Sequence, residues 1–258
     1  PDRLYGREKE IAALSEAWGR VRATGRNELV LVSGYSGAGK TSVVNELRRV
    51  MVEDCSLLAS GKAELREKTI PYATLAHALG GVLQRFVSMP VEQQTIWRTM
   101  LAKAVASDGA LLAPLVPQLE QMLGRYPSIS DLQPGEAARR LREALEALIA
   151  VLAQYSAPLT IFLDDVQWLD EETITFVQRL IADHRLPGVL VVCAYRENEV
   201  VAGHPLMVSA GVLRDDGHRV CEIELADLDV ESLGQMLADT LHCSTHASAP
   251  LARLVKKR

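Results

Sequence analysis

The chain has 258 residues, with 28 basic and 33 acidic side chains, a net charge of −5 and 48% apolar residues. That apolar content supplies a substantial core and excludes a chain disordered throughout. The net acidity and the 5% aromatic content speak against a general nucleic-acid or membrane-surface binder.

Four cysteines, Cys55, Cys193, Cys221 and Cys243, form no CxxC pair, and three stand in or beside apolar runs. They fit a reduced, cytoplasmic compartment better than a disulfide framework. No apolar stretch approaches the roughly 18 residues of a membrane span, and no signal-peptide pattern opens the chain. The sequence begins at Pro1 without a methionine and stops at Lys256-Lys257-Arg258 inside a helical pattern, so it is expected to be part of a longer protein.

In chain order, Glu28–Ser33 reads as a buried strand, followed by a glycine-rich loop. Val43, Val44, Leu47, Val50 and Met51 then fall on one helical face. Leu57–Lys62 is a weaker strand candidate. The segment 64–156 has no strong strand; helical stretches run near Tyr72–Val87, Val91–Ala106 and Gly135–Tyr155, interrupted by a turn-rich patch at Gly124–Pro134. It reads as a helical insertion on a sheet. Leu141, Leu145, Leu148 and Leu152 line one face of its last helix.

Leu159–Asp164 and Val189–Tyr195 are strong strands, and Val220–Leu225 is a fifth. Asp170 stands where an N-cap belongs, ahead of Ile174, Val177 and Ile181. Asp227–Leu241 starts a further helix. Continuous apolar strands alternating with helices predict a doubly wound, parallel α/β sheet covered on both faces.

Gly34-Tyr35-Ser36-Gly37-Ala38-Gly39-Lys40-Thr41 matches the pattern GxxxxGK(S/T) in full, between a strand and an amphipathic helix. Glycines let such a loop wrap so that main-chain N–H groups face phosphates, and the helix start adds a positive dipole end. The pattern assigns Tyr35 to Ser42 to a nucleotide, Lys40 to its β- and γ-phosphates, and the Thr41 hydroxyl to Mg²⁺.

Leu159–Asp164 ends in two carboxylates, Asp164 and Asp165. A parallel sheet presents ligands at the carboxyl ends of its strands, which places Asp164 on Mg²⁺ and Asp165 on an attacking water. A second acid after the metal aspartate favours hydrolysis, and points to the P-loop branch with an extra strand between the first and the acidic one. Val189–Tyr195 is the candidate for that strand, and Arg196, which follows it, would lie near a γ-phosphate.

Leu4-Tyr5-Gly6-Arg7-Glu8, the glycine loop, the run from Asp164 to Asp170 and the run from Ala194 to Val200 occur in an order that resembles the AAA-type ATPase domain of STAND signal-transduction ATPases. Thr69-Ile70-Pro71-Tyr72, Leu115–Leu119 and His204-Pro205-Leu206 resemble the subgroup found between a Ser/Thr-kinase-like domain and a sensor histidine kinase in large bacterial hybrid proteins. The resemblance implies a three-layer α/β/α P-loop NTPase fold with a parallel five-stranded sheet of order 5-1-4-3-2. It implies a core over residues 1–225, with the insertion at 64–156, and the start of a truncated helical lid over 226–258. It also implies ATP/ADP with Mg²⁺, adenine contacts from Gly6 and Arg7 made largely through the backbone, and catalytic work by Lys40, Asp165 and a sensor arginine, Arg196. Its implied partners are other domains of the same polypeptide, and a further copy of the chain once ATP is bound.

His242, Cys243 and His246 could begin a metal site but lack a further ligand, and read as a solvated helix end. Arg139, Arg140 and Arg142 could serve as charge-neutralising arginines but read first as a solvated helix face. The leading expectation is a slow, regulatory ATPase switch, because no arginine finger is evident within the chain. The competing class is a nucleic-acid-associated loader or remodeller. A small-molecule kinase leaves Asp165 unexplained, and a GTPase lacks the Asn-Lys-x-Asp motif.

Overall fold

Five strands of mostly β-branched and apolar residues build one parallel sheet in the order β2-β3-β4-β1-β5. This computed structural model describes residues 3–53, 56–105, 108–127, 132–156, 158–186 and 188–256. Cys55, residues 128–131 of the turn-rich patch, Ala106 and the terminal Lys257-Arg258 lie outside the described residues.

The elements run α1 (Glu8–Thr24), β1 (Glu28–Gly34), α2 (Lys40–Glu53), β2 (Leu58–Lys62), α3 (Ala73–Val87), α4 (Val91–Ala104), α5 (Gly109–Leu112), α6 (Gln118–Leu123), α7 (Pro134–Tyr155), β3 (Leu159–Asp164), α8 (Glu171–Ala182), β4 (Val189–Arg196), α9 (Pro205–Asp215), β5 (Val220–Leu225), α10 (Val230–Leu241) and α11 (Thr245–Lys256). The sheet order is the expected 5-1-4-3-2 read from the other edge, with β4 between β1 and β3.

Because strand side chains alternate, each central strand feeds two cores. Leu29, Leu31, Ile161, Leu163, Val191 and Cys193 pack toward α3, α7 and α8 on one face. Val30, Val32, Phe162, Val192 and Ala194 pack toward α1 and α2 on the other, against Leu14, Trp18, Val44 and Leu47. Burying a side chain of this size contributes about 1.5–3 kcal/mol, so the two faces together fix the register of strands that carry little polarity of their own.

The insertion folds as helices α3 to α7, two of which, the short α5 and α6, the sequence pattern does not reveal. Tyr72, expected inside α3, instead precedes it in the left-handed region at φ 65°. A tertiary hydrogen bond holds it there: its N–H donates to Thr173 Oγ1 at 3.1 Å. Likewise α10 begins at Val230 and not at Asp227, because Asp229 caps it by accepting from Ser232 N at 2.7 Å.

The reading of Arg139, Arg140 and Arg142 as one solvated face needs correction. Arg139 is exposed and pairs with Glu143 one turn on, whereas Arg140 is half-buried on Asp108, and half-buried Arg142 lines a hollow between α7 and α8 with Arg179 and Glu146. Their helix packs against α5, which the sequence pattern does not reveal. His242 closes α10 in the left-handed conformation. Among the described residues no helix is long and apolar enough to cross a membrane.

Asp170 caps α8 as its sequence position predicts, and it does more. Its Oδ1 accepts from Thr173 N at 2.7 Å and its Oδ2 from the Thr173 hydroxyl at 2.6 Å. That hydroxyl in turn receives Tyr72 N, so one carboxylate ties α8 to the start of the insertion. Asp170→Ala is therefore expected to cost about 2 kcal/mol, the upper end for a lost cap, because buried partners are orphaned with it. Urea denaturation checks this; an unchanged midpoint would refute the latch.

Candidate functional site

The carboxyl ends of β1, β3, β2 and β4 meet around one cleft of about 310 Å³, lined by Ser36, Gly37, Gly39, Lys40, Thr41 and Ser42 from the glycine loop and α2, and by Lys62, Asp164, Asp165 and Arg196 from the strand ends. Gly37 and Gly39 stand at φ 82° and 93°. Side-chain-bearing residues adopt such angles only with strain, so glycine at both positions lets the loop wrap back before α2 starts.

Lys40 opens α2, and its side chain turns into the loop. Its Nζ donates to Gly34 O at 2.8 Å and to Tyr35 O at 2.9 Å. Lys40 is 7% exposed. Burial pushes its ammonium below the usual lysine range, opposed by the nearby carboxylates of Asp164 and Asp165. An ammonium held in this way is a fixed positive charge at the centre of the loop.

Across the cleft, β3 ends in Asp164. Thr41 Oγ1 donates to Asp164 Oδ2 at 2.7 Å, and Asp165 N donates to Asp164 Oδ1 at 3.0 Å. A hydroxyl and a carboxylate in contact form a hard-oxygen donor pair that suits Mg²⁺. With two protein donors, such a site leaves its other positions to ligand and water oxygens. The residues therefore fit the cation that the glycine-loop pattern implies.

Asp165 is buried and, at φ 53°, adopts the left-handed conformation that non-glycine residues enter at a cost of about 1–3 kcal/mol. Lys62 Nζ approaches its Oδ2 at 3.4 Å, and Arg196 Nε its Oδ1 at 3.4 Å. Arg196 also pairs with Glu199 at 2.9 Å and lies 5.0 Å from the Trp168 ring centroid. Three cations, Lys40, Lys62 and Arg196, thus face two carboxylates. That charge pattern suits an anion of several charges accompanied by a cation.

Nine of the sequence-derived residues line the cleft together: Ser36, Gly37, Gly39, Lys40, Thr41, Ser42, Asp164, Asp165 and Arg196. Tyr35 and Ala38 contribute main chain to the loop, where Ala38 N donates to Tyr35 O at 3.2 Å. Gly6 and Arg7 do not line the cleft. Arg7 is buried, and its Nη2 donates to Ala38 O at 3.1 Å and Ala226 O at 2.7 Å, bracing the glycine loop against the end of β5. Gly6 packs on Ser232 of α10, whose hydroxyl would stand 2.3 Å from any β-carbon.

Lys62 is the residue that sequence reasoning misses. Its signal is faint, a lysine closing a weak strand, and its relevance rests on register: it pairs with Asp164 across the β2–β3 ladder.

The hybrid signal transduction histidine kinase G of Dictyostelium discoideum is 26% identical over 178 residues, which cover 69% of this chain and 5% of that protein. Histidine protein kinase 1 of Candida albicans is 28% identical over 162 residues, 57% of this chain and 6% of that one. The chain therefore spans about a twentieth of the length of these relatives. Among solved structures, the Aeropyrum pernix ORC1 protein in complex with DNA aligns with a TM-score of 0.49 at 16% identity, over 93% of this chain and 50% of that chain. A family profile described as an AAA ATPase domain matches residues 3–192, a span that holds the glycine loop, Lys62 and both carboxylates; the chain belongs to that family.

Proposed function

We propose that this chain is an ATP-binding, slowly ATP-hydrolysing switch domain of a larger signal-transduction protein. The observation that carries the reading is the meeting of a glycine loop, the buried Lys40 ammonium and the Thr41–Asp164 oxygen pair at one end of the sheet. In this reading Tyr35 to Ser42 embrace the phosphates, Thr41 and Asp164 hold Mg²⁺, and Asp165 orients or deprotonates the attacking water. Mg²⁺ supplies charge neutralisation between phosphate oxygens. Arg196 reports the γ-phosphate, the Gly6–Arg7 backbone lies against the adenine, and the Arg7 side chain braces the loop.

Slow turnover follows from how the cations are spent. Arg196 is shared among Glu199, Asp165 and the Trp168 ring, so it is not free to stabilise developing charge without rearrangement. Phosphoryl transfer lacking such a group runs well below about one turnover per second. The core is taken as residues 1–225 with the insertion at 64–156, and residues 226–258 as the beginning of a helical lid. The match to histidine kinases supports partners within the same polypeptide; assembly with further copies on ATP binding and a cytoplasmic setting belong to the same proposal.

Titration with ATP and GTP, with and without Mg²⁺, tests the reading. ATP binding that weakens at least tenfold on chelating Mg²⁺, with steady but slow release of phosphate, is expected. Failure of the chain to bind ATP would end the proposal. Strong stimulation of hydrolysis by DNA or RNA would replace the switch with the competing loader or remodeller.

A further inference from the structure

Directly after β3, the turn Val166–Trp168 carries Gln167, which is 5% exposed and has both ends of its amide engaged. Its Nε2 donates to Asp165 Oδ1 at 3.2 Å, and its Oε1 accepts from Arg196 N at 3.3 Å. The partners fix which end is which: the reversed amide would set its oxygen against a carboxylate and its NH₂ against an N–H, two repulsions in place of two bonds. The backbone ladder between β3 and β4 extends to Leu163 and Cys193. Gln167 spans the gap beyond it, where the two strands deliver Asp165 and Arg196.

We infer that Gln167 is a positioning residue that couples Arg196 to Asp165 and sets which carboxylate oxygen Asp165 offers to water. The inference rests on the ATPase reading above. Oδ1 already receives Gln167 Nε2 and faces Arg196 Nε, whereas Oδ2, among the described residues, pairs with the exposed Lys62. An ion pair whose lysine is 65% exposed contributes at most about 1 kcal/mol and exchanges readily. Oδ2 is therefore the oxygen that can be freed for proton transfer, and Gln167 holds the carboxylate plane so that Oδ2 stays on the Lys62 side of the cleft. A shift of the Arg196 main chain moves the same amide, so a contact made by Arg196 is passed on to Asp165.

The test compares Gln167→Met, which removes both bonds, with Gln167→Glu, which keeps the shape and the acceptor for Arg196 N but loses the donor to Asp165. Each is made in the natural chain and in an Asp165→Asn background, with Mg²⁺-ATP affinity and kcat measured. Affinity within about threefold of the parent is expected, since neither bond reaches the glycine loop, while each variant lowers kcat by about tenfold or more. In the Asp165→Asn background the Gln167 substitutions are expected to have little further effect, because residues acting as a unit are strongly non-additive. A residue needed only for packing would instead lower kcat by the same factor in both backgrounds, and that result overturns the inference. A Gln167→Glu chain with undiminished kcat overturns it as well. Should Gln167→Met not fold, the isosteric Glu variant carries the test by itself. Absence of ATP binding by the natural chain would instead sink the ATPase reading.

Discussion

Lys40→Ala is expected to weaken Mg²⁺-ATP binding by about 100-fold, or about 2.8 kcal/mol at 1.4 kcal/mol per tenfold. The size follows from the setting. Lys40 is a buried ammonium whose partners are two main-chain carbonyls of the loop itself. Hydrogen bonds to charged groups contribute about 1.5–3 kcal/mol, and phosphate oxygens offer this ammonium acceptors that carry full charge. Alanine keeps α2 helical, so circular dichroism should be unchanged while affinity falls. Unaltered affinity would remove the loop from the nucleotide site.

The same residue gives the binding a pH dependence. Burial lowers the Lys40 pKa, and the two carboxylates only partly oppose this. The protonated form binds phosphate, so affinity is complete below the lowered value and falls as pH rises through it. The decline therefore starts at lower pH than an ordinary lysine would dictate. A titration repeated across the alkaline range reads this directly.

Much of the architecture was legible because the three central strands are apolar on both faces and β5 alternates buried with exposed residues. Leu159–Asp164 and Val220–Leu225 were bounded correctly from pattern alone, and β1, β2 and β4 to within one residue. What stayed hidden depends on contacts between distant segments. Tyr72 reads as helical until Thr173 is known to hold its N–H, and Arg140 reads as solvated until α5 brings Asp108 to it. Helices as short as Gly109–Leu112 complete a single turn, too little for a periodic signal.

The site divides in the same way. The glycine loop and the two aspartates announce themselves because their spacing is local and their chemistry demanding. Lys62 and Gln167 do not, since Lys62 matters through a neighbour on another strand and Gln167 couples nearby Asp165 to Arg196 of a distant segment. Lys62 acquires its place from the β2–β3 register, and Gln167 from the gap between β3 and β4. Arg7 illustrates the converse. The resemblance implies adenine contact largely through the Arg7 backbone, and its guanidinium does separate work on Ala38 O and Ala226 O. Its effect on a ligand would pass through the shape of the loop.

Asp165→Asn separates binding from chemistry. Asparagine has the shape of aspartate and can still accept from Gln167 and Arg196, but it cannot take a proton at neutral pH. Loss of a positioned general base costs about 10²- to 10⁴-fold, so kcat is expected to fall at least 100-fold. Affinity should hold or tighten slightly, because the substitution also releases Lys62 from its ion pair and leaves one more cation for the phosphates. A lower kcat with an equal or smaller KM marks an interaction used in the transition state and not in the bound substrate. Single-turnover phosphate release, measured beside equilibrium binding, resolves the two. Turnover at the natural rate would assign water activation to another group and reduce Asp165 to a partner that holds Lys62 and Arg196 apart.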